Sequence, residues 1–279
     1  MEACSEGIRV GGYRAGMEDA FFVPLAERRY RPTDRVRGPW SADHMHGGPP
    51  SALLAHEMSA AAQAAGFVGP ALLSRITVEL LSPIPMADVD VTATVERPGR
   101  QVSLLSATLA VDSVPVALAR AWLIRLTELE LPYRDAGPVP GEGRPGLPEG
   151  WGGGYIDSVE WRWVAGAMDQ PGPATVWARP RVPLVVGREL SGEERALLVA
   201  DSGSGASSVL NLREFLFLNT ELSVHLFRPP QGERILLASE TKLDSGGIGL
   251  AATELADDTG MIGRGAQTLF VAPRVTEHR

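Results

Sequence analysis

Three side chains in the C-terminal half, Asp201, Thr220 and Gln267, are of types that together can activate a water molecule. A carboxylate in apolar surroundings can serve as a general base. A hydroxyl and a carboxamide can hold the water and hydrogen-bond an oxyanion as it develops. Each of the three interrupts an apolar face. Asp201 follows Leu197 by four residues and Leu198 by three on a helical pattern, Thr220 shares the strand face of Leu222, Val224 and Leu226, and Gln267 shares its parity with Met261, Leu269 and Val271. A lone carboxylate on an interior face is costly unless it has partners, so the three are expected to meet. Taken singly, each could be a separately satisfied core group, and for Thr220 alone that reading is the better one. The run D-S-G-S-G-A-S-S at 201–208 lacks the spacing of G-x-S-x-G and falls at a helix end instead of a strand-to-helix elbow, so no nucleophilic serine is expected.

A second feature is His46-Gly47-Gly48 at the opening of a helix. Glycines there let backbone N–H groups approach a ligand oxygen at the positive end of the helix dipole. A purely steric need for tight helix entry explains them equally well. Asp43, His44 and His46 lack further ligands at recognisable spacing, so neither a metal nor another cofactor is expected. The glycines at 246–249 and 263–265 lack the strand–loop–helix context of a nucleotide site.

The elements that must position these residues occur twice. Ala52-Leu53-Leu54 recurs as Ala196-Leu197-Leu198, Thr77-Val78 and Pro83 as Ser223-Val224 and Pro229, Ala107-Thr108 as Ala252-Thr253, and Arg120 as Arg264, all at nearly one offset. Such order points to one supersecondary plan used twice. The offset sets Glu57 against Asp201, Ser74 against Thr220 and Leu123 against Gln267; with the carboxamide missing from the first half, one competent site per chain is expected. Each half reads as a helix (46–65, and 191 to about 203) followed by alternating strands. In the first half these begin near Ile76, Val89, 102 and 116, and in the second they cover roughly 220–228, 234–243, 248–256 and 262–271, with shorter strands ahead of each helix near 20–36 and 156–181. Ser191 with Glu194 forms a capping box. The Pro- and Gly-rich stretch 131–154 reads as a surface linker between domains 1–130 and 155–279. One helix plus an antiparallel sheet, twice over, is an α+β plan and excludes a doubly wound parallel sheet.

Composition narrows the partners. The net charge is −8 and Lys and Arg are not clustered as phosphate neutralisation requires, so nucleic acid is not expected as a partner. Arg28, Arg29, Arg31, Arg35 and Arg37 are expected on the solvated face of an early strand. No apolar run reaches the ~20 residues that span a bilayer, and no apolar leader opens the sequence. The one cysteine, Cys4, has no internal partner. A cytoplasmic protein with no membrane partner is expected.

The segments GPWSADHMHGGPPSALLA and LLSPIP in the first half, and LLVADSG, NTELSVHLFRPP and GRGAQTLFV in the second, resemble the TesB-like acyl-CoA thioesterases over about Tyr30 to Val271. The resemblance implies a double hotdog, each half a sheet wrapped around one long helix. It also implies acyl-CoA as substrate, a homo-oligomer, and catalytic roles for Asp201, Thr220 and Gln267 in direct attack of water on the thioester. His46, Gly47 and Gly48 would then contact the substrate, for example its thioester oxygen. A non-catalytic acyl-CoA binding protein is the alternative. A hotdog hydratase ranks last, because such enzymes usually set a His beside the Asp on the helix segment and no His lies near Asp201 in the sequence.

Overall fold

The computed structural model describes residues 19–132, 139–211 and 214–274, so Cys4 lies outside the described residues. The first half runs β1 (Phe22–Ala26), β2 (Arg29–Pro32), α1 (Gly48–Ala64), β3 (Ala71–Leu80), β4 (Val89–Arg97), β5 (Val102–Val111) and β6 (Val114–Arg125). After β7 (Arg144–Pro145) and a one-turn α2 (Gly154–Asp157), the second half runs β8 (Val159–Ala165), β9 (Ala174–Pro180), α3 (Gly192–Ala200), α4 (Gly203–Ala206), β10 (Phe215–Asn219), β11 (Glu221–Leu226), β12 (Ile235–Leu243), β13 (Ile248–Asp257) and β14 (Gly260–Pro273).

The helices begin where their sequences dictate. Pro49 and Pro50 sit in the first turn of α1, where the missing N–H groups cost no helical bond, and Gly66 just past its end takes φ 85°. Ser191 caps α3 with the reciprocal Glu194 bond the sequence predicts. However, α3 stops at Ala200, and Asp201 is its C-cap, not a mid-helix residue. The chain turns there and restarts as α4. A Cβ on Gly203 would lie 2.3 Å from the Thr253 hydroxyl, so this glycine allows α4 to press against β13.

One continuous sheet holds both halves, in the order β1-β2-β4-β5-β6-β3-β11-β14-β13-β12-β9-β8-β7, with β10 extending the β11 side along β14. The seam is the antiparallel pair β3–β11. Thr77 faces Ser223 across it, with their hydroxyls 3.1 Å apart. These are residues the internal repeat equates, so the seam carries a local twofold axis relating the halves. The α1 and α3 helices pack against each other on the inner face. A Cβ on Gly48 would fall 2.1 Å from the Leu198 carbonyl, so this close approach requires glycine. Leu53, Leu54, Met58, Leu197 and Leu198 are fully buried between helices and sheet.

Two local expectations change. The Pro- and Gly-rich stretch is not merely a surface connection. Leu147 and Trp151 pack on the core, β7 pairs with β8, and Tyr155, at the end of the stretch, is fully buried with its N–H donating to the Arg37 carbonyl. Of the early arginines, Arg29 and Arg31 lie on a strand and pair with Asp88, whereas Arg35 and Arg37 sit on or beside a 3-10 turn, where Arg37 pairs with Asp34.

Candidate active site

Asp201 is 6% exposed and Gln267 1%. The Gln267 carboxamide uses both ends. Its Nε2 donates to the Asp201 carbonyl at 3.0 Å and to Oδ1 at 3.3 Å, while its Oε1 accepts from the Ser204 amide at 3.1 Å. Gln267 therefore ties the α3–α4 turn to β14 and fixes the Asp201 side chain from behind. Asp201 and Gln267, which interrupt apolar faces of separate elements, thus meet in the interior.

Thr220 does not join them. It is exposed, and its hydroxyl donates to the Thr268 carbonyl at 3.3 Å. The cause is a β-bulge. Asn219 pairs with Leu269 whereas Ser223 pairs with Ala266, so four steps along one strand match three on the other. The extra residue reverses the in–out alternation. Phe217 is buried before the bulge, and Leu222, Val224 and Leu226 after it. Extrapolating the later parity backwards put Thr220 inside, and that placement is corrected. Glu221 stabilises the irregular pairing, its Oε1 accepting from the Thr268 amide at 2.9 Å.

Asn219 takes the inward position that the bulge releases. Its Nδ2 donates to Asp201 Oδ1 at 2.8 Å. The sequence carried no signal for this residue, because Phe215 to Leu218 are all apolar and show no alternation to extend.

The first half supplies the rest of the surroundings. His46, 9% exposed, places Nδ1 3.0 Å from Asp201 Oδ2 and 3.1 Å from the Gly48 amide nitrogen. Its ring stacks on Tyr155 at 3.7 Å between centroids and 9° between planes. The Tyr155 hydroxyl donates to the Leu198 carbonyl at 2.9 Å and lies 2.8 Å from the Ser202 hydroxyl. Burial lowers the His46 pKa, opposed in part by Asp201, so the ring is neutral at neutral pH. Burial likewise raises the Tyr155 phenol far above its usual value. No His lies near Asp201 along the chain, yet one lies beside it in space, so the argument that set a hydratase aside does not hold in three dimensions.

A Cβ on Gly47 would lie 2.9 Å from Asp201 Oδ2, so this glycine lets the carboxylate rest against the start of α1. His46 and Gly47 line the cavity next to Asp201, whereas Gly48 lies against α3 and its packing accounts for it. In the first half, Glu57 is buried and does not border the cavity beside Asp201. The Tyr30 hydroxyl donates to it, and Arg28 lies 3.8 Å away. Ser74 donates to the Leu226 carbonyl across the seam.

Asp201 opens onto a cavity of about 480 Å³ lined by both halves. Its walls include Met45, Ile84, Ile156, Met168 and Phe217, with Trp40 and Trp151 meeting edge to face at 6.2 Å. Thr220, Phe270 and Arg274 also border it. An apolar cavity with a few converging polar groups is the usual form of a small-molecule site.

The sequence of residues 36–124 matches the family described as the acyl-CoA thioesterase N-terminal domain, and residues 135–271 match its C-terminal domain. The chain belongs to the acyl-CoA thioesterases. These hydrolases act on acyl-CoA, and the antiparallel α+β architecture is the double hotdog. Solved structures agree on the fold. A hot dog protein of unknown function from Alicyclobacillus acidocaldarius superposes with a TM-score of 0.71 at 15% identity, covering 94% of this chain and 100% of the other. The tesB protein of Mycobacterium avium subs paratuberculosis gives 0.63 at 16% identity over 90% and 96%. The acyl-CoA thioesterase II TesB2 of Mycobacterium marinum gives 0.63 at 15% identity over 92% and 96%. No curated protein matches the sequence. Among the described residues, no helix of this thioesterase is long and apolar enough to cross a membrane.

Proposed function

We propose that Asp201 is the general base that draws a proton from water as that water attacks the acyl-CoA thioester carbonyl. Asn219 and Gln267 hold the carboxylate from one side, and the start of α1 lies against it from the other. The observation that carries this reading is the buried Asp201 carboxylate, oriented by two carboxamides and open to an apolar cavity. A carboxylate fixed in this way loses little orientational entropy when it engages water. Asn219 takes the role beside the carboxylate that the resemblance implies for Thr220, which stands at the cavity border. His46 and Gly47 flank Asp201 at the cavity and face the substrate. The apolar wall from Met45 to Phe217 would receive the acyl group. We read the chain as two domains, 1–130 and 155–279, joined by 131–154.

The test is thiol release from acyl-CoA substrates of graded chain length. Asp201→Asn keeps the shape and removes the base, so kcat should fall on the order of 10²- to 10⁴-fold. Near-normal turnover by this variant would remove Asp201 from the mechanism, and silence of the wild type on every chain length would favour the binding reading. The His46–Asp201 contact supports a second reading, hydration of 2-enoyl-CoA. The same protein assayed for loss of enoyl absorbance separates the two: hydration faster than thiol release would reverse the assignment.

A further inference from the structure

We propose that the base of this site is a pair, in which His46 Nδ1 and Asp201 Oδ2 hold one proton between them and the imidazole sets the orientation of the carboxylate. The inference rests on the role given to Asp201 above and goes one step deeper into it.

The two atoms are 3.0 Å apart and both side chains are largely buried, so they meet directly at the cavity wall. An imidazole nitrogen has one in-plane position, filled by a lone pair or by a proton. With Nδ1 bare, it can accept from the Gly48 amide at 3.1 Å, but it then turns a lone pair towards Oδ2. With a proton on Nδ1, the ring donates to Oδ2 and gives up the Gly48 amide. The location of a single proton therefore decides which contact is made. The second arrangement favours an ionised Asp201, the form that accepts a proton from water.

The ring is held for this task. Stacking on Tyr155 fixes its plane, and Tyr155 is anchored to Leu198 and Ser202, on either side of Asp201 in the chain. Donor and acceptor therefore share one rigid support. The titratable groups facing the imidazole are Asp201 from the end of α3 and the Tyr155 phenol from α2. Burial favours the neutral ring, which suits a hydrogen-bond donor to a carboxylate better than it suits a second permanent charge. His46 also lines the cavity, and its Nε2 has no hydrogen-bond partner among the described residues, so Nδ1 is the nitrogen that the protein engages. The sequence could not show this pair, because its members lie in different halves of the chain.

His46→Phe tests the pair, since phenylalanine keeps the stack on Tyr155 and loses the nitrogen. We expect kcat for thiol release to fall roughly 10- to 100-fold, with KM changed less than about twofold, as for loss of an interaction that orients the base. The acid limb of kcat/KM should move to higher pH, because the carboxylate loses a donor to its charged form. His46→Gln, which can still donate to Oδ2, should recover part of kcat. It serves as the decisive variant if the phenylalanine protein does not fold. In the wild type, nitrogen NMR should show a proton on His46 Nδ1 that is lost or displaced in Asp201→Asn. A His46→Phe enzyme with wild-type kcat and an unmoved acid limb overturns the pair, as does a His46 spectrum indifferent to Asp201→Asn. If Asp201→Asn is inactive and His46→Phe is not impaired, only the pair fails. If Asp201→Asn is active, the assignment of the base fails with it.

Discussion

Replacing Gln267 with Leu, the residue that the first half carries at the matching position 123, separates what the carboxamide does for structure from what it does for chemistry. The substitution removes three hydrogen bonds at once: those to the Asp201 carbonyl, to Asp201 Oδ1 and from the Ser204 amide. Two of the partners are backbone groups in the buried turn between α3 and α4, and Leu can satisfy neither. Leaving a buried polar group without a partner costs about 1–3 kcal/mol, so the pair costs roughly 2–6 kcal/mol before relaxation. The added apolar contact of Leu returns about 1 kcal/mol. A net loss of about 1–5 kcal/mol should follow, read as a lower urea midpoint by tryptophan fluorescence. Because the turn carries Asp201, kcat for thiol release should also drop, on the order of 10²-fold. Asn219→Ala provides the contrast. It removes the 2.8 Å bond to Asp201 Oδ1 and a longer one, 3.4 Å, to the carbonyl of half-buried Glu221, so it should cost only about 1.5 kcal/mol in stability while lowering kcat comparably. A Gln267→Leu protein as stable as the wild type would refute the role of the carboxamide in holding the turn. Wild-type turnover by Asn219→Ala would refute the claim that the bulge has made Asn219 the partner of the carboxylate.

Thr220→Val should leave kcat within about twofold and stability within about 0.5 kcal/mol, since the hydroxyl bonds only an exposed carbonyl; a loss beyond tenfold would return Thr220 to the mechanism. Asp257 is fully buried and takes both Arg228 nitrogens, at 2.6 and 2.7 Å. Burial alone would raise its pKa, but Arg228, the Gln231 amide and Thr259 together hold it at about 2. A depressed carboxylate pKa stabilises the fold above the unfolded value and loses that effect as pH falls through the folded one. Asp257→Asn should therefore cost about 2 kcal/mol at neutral pH, and its urea midpoint should converge with that of the wild type between about pH 4 and pH 2. A gap independent of pH would contradict this account. Trp151→Ala opens the cavity wall beside Trp40, so kcat/KM for long or bulky acyl groups should rise relative to short ones by about tenfold. An unchanged chain-length profile would show that Trp151 does not bound the acyl site.

The sequence by itself determined the elements and their duplication. Apolar alternation marked strands that pair as ladders, the Ser191–Glu194 box set the start of α3, and the repeat offset equated Thr77 with Ser223, which then face each other at the seam. Those features follow from local spacing and from one plan used twice, so a linear reading reaches them. It also reached Asp201 and Gln267, because a polar residue on an apolar face is visible wherever the alternation is unbroken. Only the tertiary structure decided the rest. One inserted residue between Asn219 and Ser223 exchanges the inner and outer faces, and a run of apolar residues conceals it. His46 meets Asp201 because Gly47 and Gly48 let the two helices approach within side-chain-free contact. Tyr155 directly follows a stretch whose composition suggests only a connection. Each depends on where separate segments pack, and no periodicity along the chain encodes a distance between its two halves.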